Sequence, residues 1–351
     1  MTPPHHRPGG GFRNPWPTDE AHGFGDFLRW TFDRVTTKGE EPGLSREEFA
    51  RRFPPATPAP ALPRASTDRL LATWVGHSTF LLQIGGLNVL TDPVWGERVS
   101  PVPFAGPRRW TPPGVAFDAL PPIDLVLVSH DHYDHLDEPT VRRLVRRNPE
   151  TQWLAPLGVA GWLRRRGATR VGECDWWDAV RLPLPPAPGV EIAVTCVPAQ
   201  HFSGRRANNR NETLWCGWTV RAGVRSAYYV GDTGYFPSVG DAAARGGGPF
   251  DLVLMPVGAY QPRWFMRPVH NDPDDAVRAY RELVAASLHG DDASATAARR
   301  PPVMAGMHWG AFKLTDEPMD EPPRRTRAAW AAAGLPAELL WLPAHGETRE
   351  I

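Results

Sequence analysis

Three histidines and two aspartates stand in six consecutive positions, His130-Asp131-His132-Tyr133-Asp134-His135, directly behind the apolar run Leu125-Val126-Leu127-Val128 and Ser129. Neutral imidazole nitrogens and carboxylate oxygens are the donors that divalent zinc prefers, and this density of them is foreign to an apolar core and to an ordinary solvated loop. Four apolar residues before a polar break read as a buried strand, so the donors sit at a strand mouth. Alternate residues of an extended turn face the same way, so His130 and His132 can grip one ion while Asp134 and His135 face a second.

A site for two ions needs more donors than one turn supplies, and the residues that follow other strands are the place to seek them. His201 comes after the strand expected at 192–197, Asp232 after the Tyr228-Tyr229-Val230-Gly231 strand end, and His308 after the strand expected at 303–307. A lone His or Asp at a strand end is more often a hydrogen-bonded structural residue, but these three recur in the same position relative to a strand as the first cluster. Asp92, which ends its own strand, is a candidate acceptor for a ligand imidazole N–H, with a turn-forming role before Pro93 as the alternative. His77 and His345 read as structural or supporting hydrogen-bonders and stay outside the metal set. His270 either contacts substrate or exchanges hydrogen bonds with solvent.

The elements that must position these residues are mostly strands. Short apolar runs at 72–75, 80–84 and 87–91, the last two separated by Gly85-Gly86, make a β-meander with a hairpin turn. Residues 93–122 form a Pro-rich loop carrying Trp95, Phe104 and Trp110, either a lid over the metal strand or a stiffened surface loop. Asp137 is placed to cap a helix with Pro139 in its first turn and Val141, Leu144 and Val145 on one face. Further strands are expected at 215–220, 227–230 and 252–255, and Asp272-Pro273 opens a helix through Val277, Tyr280 and Val284. Residues 1–65 are a Pro-rich extension with one helical stretch near Phe27, Leu28, Trp30 and Phe32, residues 66–351 the domain that carries the donors, and the Ala/Asp/Ser-rich stretch 289–300 a mobile insertion.

The 351 residues suffice for one large α/β domain or two. Lys plus Arg equals Asp plus Glu at 39 each, which gives no bulk attraction to nucleic acid or to an anionic membrane. Only two lysines occur, Lys38 and Lys313, which speaks against a nuclease track along a phosphate backbone. Cys174, Cys196 and Cys216 are too few and too scattered for a disulfide framework, so a reducing, cytoplasmic setting is expected. The start of the chain lacks the apolar stretch of a secretory signal, and no run of about 18 apolar residues occurs to cross a membrane.

The order of the donors, a His-x-His-x-Asp-His loop, then a distal His, an Asp and a last His, resembles the metallo-β-lactamase superfamily. Within it the chain is most similar to the N-acylphosphatidylethanolamine-hydrolysing phospholipase D family. The matching segments are Phe12-Arg13-Asn14-Pro15-Trp16-Pro17, Trp74-Val75-Gly76-His77-Ser78-Thr79, Asn88-Val89-Leu90-Thr91-Asp92-Pro93, Leu120-Pro121-Pro122-Ile123-Asp124, Gln200-His201-Phe202-Ser203, Gly258-Ala259-Tyr260-Gln261-Pro262-Arg263-Trp264-Phe265-Met266 and Met307-His308-Trp309-Gly310.

The resemblance implies an α/β fold, a four-layer αββα sandwich of metallo-β-lactamase type, with residues 1–65 packed on it. It also implies two zinc ions per chain: His130, His132 and His201 on one, Asp134, His135 and His308 on the other, and Asp232 bridging both. The implied chemistry is hydrolysis by a metal-bridging hydroxide, because two zinc ions bring the pKa of bound water to about 7. Asp134 would orient the hydroxide and accept its proton, with Asp232 and His308 completing the catalytic set. The implied substrate is an N-acyl phosphatidylethanolamine-like phospholipid or a related small molecule, not nucleic acid, reached through a peripheral membrane contact. A lactonase or another ester or β-lactam hydrolase would use the same donors. A non-catalytic metal-binding scaffold is the alternative of another class, and the filling of all seven donor positions stands against it. Two departures from the family pattern, the longer connection before Val303 and the Arg/Asn-rich stretch 205–212, could reshape the site entrance.

Overall fold

The apolar run behind the donor cluster forms strand β4 (Leu125–Leu127), and its side chains divide between two cores. Leu125 and Leu127 point into a core shared with Trp218 and Val220, whereas Val126 and Val128 point the other way, into a cluster with Val141 and Leu144. A strand covered on both faces has no polar side, which is why it reads as a continuous apolar run rather than an alternation.

The computed structural model describes residues 2–16, 22–36, 43–182, 190–206, 208–287 and 300–351, so the insertion expected at 289–300 lies, save for Arg300, outside the described residues. Among the described residues the strands form two seven-stranded sheets. The first contains β1 (Leu70–Gly76), β2 (Thr79–Ile84), β3 (Leu87–Thr91), β4, β5 (Gln152–Pro156), β6 (Arg170–Cys174) and β14 (Thr348–Glu350), in the order β14-β1-β2-β3-β4-β5-β6. The second contains β7 (Ala179–Arg181), β8 (Ile192–Val197), β9 (Gly217–Ala222), β10 (Arg225–Tyr229), β11 (Leu252–Pro256), β12 (Val303–Met307) and β13 (Leu340–Trp341), in the order β13-β12-β11-β10-β9-β8-β7.

Each sheet has the same plan. Three antiparallel pairings lead to β3 in the first sheet and to β10 in the second, and three parallel pairings follow from each of them. The Gly85-Gly86 hairpin has φ of +59° and +80°, the left-handed pair that a two-residue turn between twisted strands requires. On the outer face of the first sheet lie α3 (Glu138–Arg147) and α4 (Ala160–Arg164), which contribute Val141, Leu144 and Leu163 to the outer cluster. The long helix α7 (Pro273–Ser287) turns Ala276, Val277, Tyr280 and Leu283 inward at helical spacing, and Tyr280 packs on Trp330 of α8 (Glu321–Ala332) with centroids 4.7 Å apart. The result is a four-layer αββα sandwich.

Strands β5, β6, β7 and β14 were not expected from the sequence, and β13 was expected only as an edge strand before His345, without bounds. They are edge or next-to-edge strands of two to five residues, and β6 and β7 are largely exposed, so they carry too little apolar pattern to be read. Asp137 does stand before α3, but it does not cap it: its carboxylate accepts from Gly96 N at 3.1 Å and from the Thr140 hydroxyl at 2.5 Å. It thereby ties the loop 93–122 to the helix. Before β1, helix α1 (Phe24–Thr36) directs the Trp30 indole to Asp316 Oδ2 at 2.7 Å, and α2 (Arg46–Arg52) buries Phe49 against Phe53.

Leu127 belongs to the inter-sheet core and precedes the donor turn by three residues. Leu127→Ala is expected to lower unfolding free energy by about 2–5 kcal/mol, measured by denaturant titration. A loss below about 1 kcal/mol would mean that the core collapses around the gap.

Candidate metal centre

The donor turn begins where β4 leaves its sheet. Backbone groups there remain satisfied: Val128 N donates to Leu154 O at 2.9 Å and Cys216 N to Ser129 O at 3.0 Å. Leu136 N then folds back onto His132 O at 2.9 Å, a turn that separates Asp134 and His135 from His130 and His132. Arg205 braces this turn from behind, donating to Asp131 O at 2.7 Å and Leu136 O at 2.8 Å while its guanidinium covers the Tyr133 ring.

All seven sequence-predicted donors meet at the strand mouths. His130 Nε2 lies 2.8 Å from His132 Nδ1, and His201 Nε2 lies 3.2 Å from that same atom, so three imidazoles converge. Beside them, Asp134 Oδ2 lies 3.5 Å from His135 Nε2 and 3.6 Å from His308 Nε2. Asp232 Oδ2 stands between the groups, 3.1 Å from His135 Nε2, 3.0 Å from His308 Nε2 and 3.9 Å from His201 Nε2. His77, set aside in the sequence reading, joins the second group with Nε2 3.0 Å from Asp134 Oδ2. The only hint of it was its position after β1, which His345 shares by following β13; His345 is instead buried against Trp74.

The outer nitrogens fix which atoms face inward. His201 Nδ1 lies 2.9 Å from the Val269 carbonyl, which can only accept, so Nδ1 carries the proton and Nε2 presents its lone pair. His135 Nδ1 likewise faces Asp92 Oδ2 at 2.6 Å. Asp92 is fully buried, and it also accepts from Ser129 N at 2.7 Å, from the Ser129 hydroxyl and from the Tyr229 hydroxyl at 2.5 Å. The supporting role considered for it is the one its geometry shows.

Backbone strain gathers at the same place. His77, Asp92 and His308 have φ of 55°, 30° and 65°, a region that costs about 1–3 kcal/mol per non-glycine residue. Gly258 permits the last of these, since a Cβ there would meet His308 O at 2.1 Å.

The electrostatics are those of a cation site. Burial opposes ionisation of Asp134 and Asp232, yet the neighbouring His135, and His308 for Asp232, hold both carboxyls well below their ordinary range. Burial likewise lowers His135 and His308, but the two carboxylates more than offset it, pushing His135 well above its usual value and His308 up to about 9. His130, His132 and His201 are held down, chiefly by burial, and stay neutral. Asp232 Oδ1 is buried with no hydrogen-bond partner, an acceptor that a cation would satisfy. Three neutral imidazoles, two more that would give up a proton to an ion, two carboxylates and this orphaned oxygen fit divalent metal of the zinc class.

Above the donors lies a cleft of about 460 Å³. Phe202, Phe265, Met266, Val269 and Leu314 give it an apolar wall, Trp30 of α1 contributes at its edge, and Arg206 and Arg210 stand at its rim. His270 faces this cleft rather than open solvent, its ring 5.1 Å from His201 and 5.2 Å from His308. Of the two readings of residues 93–122, the aromatics favour the packed surface loop: Trp95 joins the outer cluster beneath α3, Trp110 packs against Phe49, and Phe104 is 79% exposed. The stretch 205–212 does reach the entrance, through Arg206 and Arg210.

Residues 87–289 match the family described as "Beta-lactamase superfamily domain". The chain is 38% identical over 258 residues to an N-acyl-phosphatidylethanolamine-hydrolyzing phospholipase D 1 of Caenorhabditis elegans, covering 71% of this chain and 66% of that protein. It is 41% identical over 311 residues to an uncharacterized protein of Mycobacterium tuberculosis, covering 86% of this chain and 75% of that one. Among solved structures, a metallo hydrolase of the archaeon Ignicoccus hospitalis superimposes with a TM-score of 0.56 at 19% identity, over 81% of this chain and 98% of the other.

Because His308 rises from 6.5 to about 9, its proton stabilises the metal-free fold fully below pH 6.5, and that contribution is lost as the pH climbs through about 9. An incoming ion must displace this proton and the one on His135, so zinc affinity should strengthen between pH 6.5 and 9 with proton release. Chelator competition across that range checks it, and a flat profile would refute the charge pattern. Asp92→Asn, which replaces an acceptor-only group by a half-donor, should weaken zinc binding by about 10–100-fold. Unchanged affinity in the same competition assay would reduce Asp92 to a structural role.

Proposed function

The chain belongs to the metallo-β-lactamase superfamily and is a metal-dependent hydrolase; from that premise we propose that it cleaves phosphodiesters of phospholipid type, in the manner of a phospholipase D acting on N-acyl phosphatidylethanolamine-like lipids. In this reading His130, His132 and His201 would hold one zinc ion, Asp134, His135 and His308 the other, and Asp232 would serve both. Bound there, such ions would lower the pKa of water toward neutrality and offset charge on the phosphoryl oxygens.

The observation that carries the reading is the two-sided cleft over the donors. Its apolar wall can receive an acyl chain, and the Arg206 and Arg210 guanidiniums, which have no carboxylate partner within ion-pair distance among the described residues, can meet a phosphate. A small lactone or lactam would leave both features unused. In this reading Asp134, whose Oδ2 lies 3.0 Å from His77 Nε2, orients the attacking water, takes its proton and passes it to the leaving-group oxygen as the phosphorus–oxygen bond breaks, releasing the alcohol.

A lipid must also reach the cleft. Trp264, whose ring meets His22 at the cleft's lining with centroids 5.4 Å apart, is 39% exposed, which supports a peripheral contact with a bilayer. No helix among the described residues is long and apolar enough to cross a membrane.

Specificity constants for an N-acyl phospholipid, bis-p-nitrophenyl phosphate and a lactone, measured on one zinc-replete preparation, test the class of substrate. The phospholipid is expected to lead, and a lactone preference would overturn the reading. Phe265→Ala should raise KM for the long-chain diester about tenfold or more, the worth of one lost apolar contact surface, and leave the small diester within twofold. Equal effects on both would make Phe265 a fold residue only.

A further inference from the structure

A second group of side chains of metal-ligand type lies apart from the cleft, where the N-terminal arm crosses the end of β6. His5 and His6 are neighbours in the chain, yet both turn to one carboxylate: His5 Nε2 lies 2.7 Å from Asp175 Oδ1, and His6 Nε2 lies 2.8 Å from Asp175 Oδ2. Consecutive residues of extended backbone point to opposite sides, so this convergence needs an imposed turn. It is supplied by His6 N donating to Pro3 O and Arg7 N donating to Gly11 O, both at 3.0 Å, with Gly9, Gly10 and Gly11 all at positive φ. The His5 ring lies flat on Trp176 with centroids 4.2 Å apart, and the His6 ring stands edge-on to it.

We propose that His5, His6 and Asp175 form a separate transition-metal site, for an ion of the zinc class, and that this ion clasps the N-terminal arm to the end of the first sheet. Two imidazoles and a carboxylate are the zinc donor set, and three protein ligands leave the fourth position to water. The three donor atoms lie within 4.8 Å of one another. The two imidazoles meet different oxygens of Asp175, so an ion between them would be met by the edge of the carboxylate, with either oxygen as its ligand. His5 is buried, whereas His6 and Asp175 keep 26% and 21% of their side-chain surface, which leaves an approach for the ion and its water.

The clasp has a consequence at the other end of the arm. Trp16 continues the arm onto Trp176 and Phe236, and between them the Asn14 amide donates to the His201 backbone carbonyl at 3.0 Å. An ion at His5, His6 and Asp175 therefore holds the segment that braces a residue of the cleft's donor set. The rival is a hydrogen-bonded lock, in which each imidazole donates one N–H to Asp175 and no ion is needed.

His6→Gln separates the two, because the glutamine amide keeps a donor for Asp175 but offers no imidazole ligand. Full-length protein, stripped with chelator and dialysed against zinc chloride, is expected to hold one zinc per chain more than His6→Gln by elemental analysis, with turnover of bis-p-nitrophenyl phosphate within twofold. In an Asp232→Asn background, zinc at a hundredfold excess over Kd should still raise Tm by about 2 °C or more, and adding His6→Gln should abolish that rise. Equal zinc content in the parent and His6→Gln, or a thermal shift indifferent to His6, overturns the clasp and leaves the lock. His6-dependent zinc in a protein without diesterase activity would uphold the clasp while sinking the phospholipase reading.

Discussion

One buried carboxylate holds the site together. Asp92 has no exposed surface, and its two oxygens collect the Ser129 amide, the Ser129 hydroxyl, the Tyr229 hydroxyl and His135 Nδ1. These four donors come from the end of β4, from β10 of the opposite sheet and from the donor turn itself, so one charge joins both sheets to the site. A buried anion with fewer partners would cost several kcal/mol, and the network is therefore all or nothing. It also sets the tautomer of His135, which fixes the nitrogen that faces Asp134 and Asp232.

The common plan of the two sheets explains why the chemistry sits where it does. Asp92 follows β3 and Asp232 follows β10, the strands at which each sheet changes from antiparallel to parallel pairing. Strand ends of both sheets open at that one edge, and backbone turning sharply out of a strand there adopts left-handed conformations at His77, Asp92 and His308. Such strain persists because the surrounding hydrogen bonds over-determine it, as where His308 N donates to His77 O at 3.1 Å.

The cleft is assembled from pieces remote in sequence. Its apolar wall comes from the segment after β8, from α6 (Arg263–Met266) and the residues after it, and from the loop after His308, with Trp30 brought in by α1. The N-terminal arm and α1 thus belong to the architecture of the entrance: Trp30 stacks on Phe265 with centroids 5.2 Å apart, and Asn14 braces the His201 backbone. Charge follows the same division, with the arginines of 205–210 split between Arg205, which supports the donor turn, and Arg206 and Arg210, which face the opening.

Local sequence determined the donor types, their grouping in the turn 130–135 and the strand before it, because side-chain alternation and the ligand chemistry of His and Asp act within a few residues. The order of His201, Asp232 and His308 behind their strands was legible for the same reason. Tertiary structure alone decided that His77 joins Asp134 while His345 packs on Trp74, although both follow strands, since only pairing register determines which strand ends meet. It also turned Trp95 and Trp110 into packing and made Phe202, Phe265 and Trp30 the wall of the cleft. An aromatic run announces burial without saying against what, and that choice depends on contacts between segments that no spacing along the chain encodes.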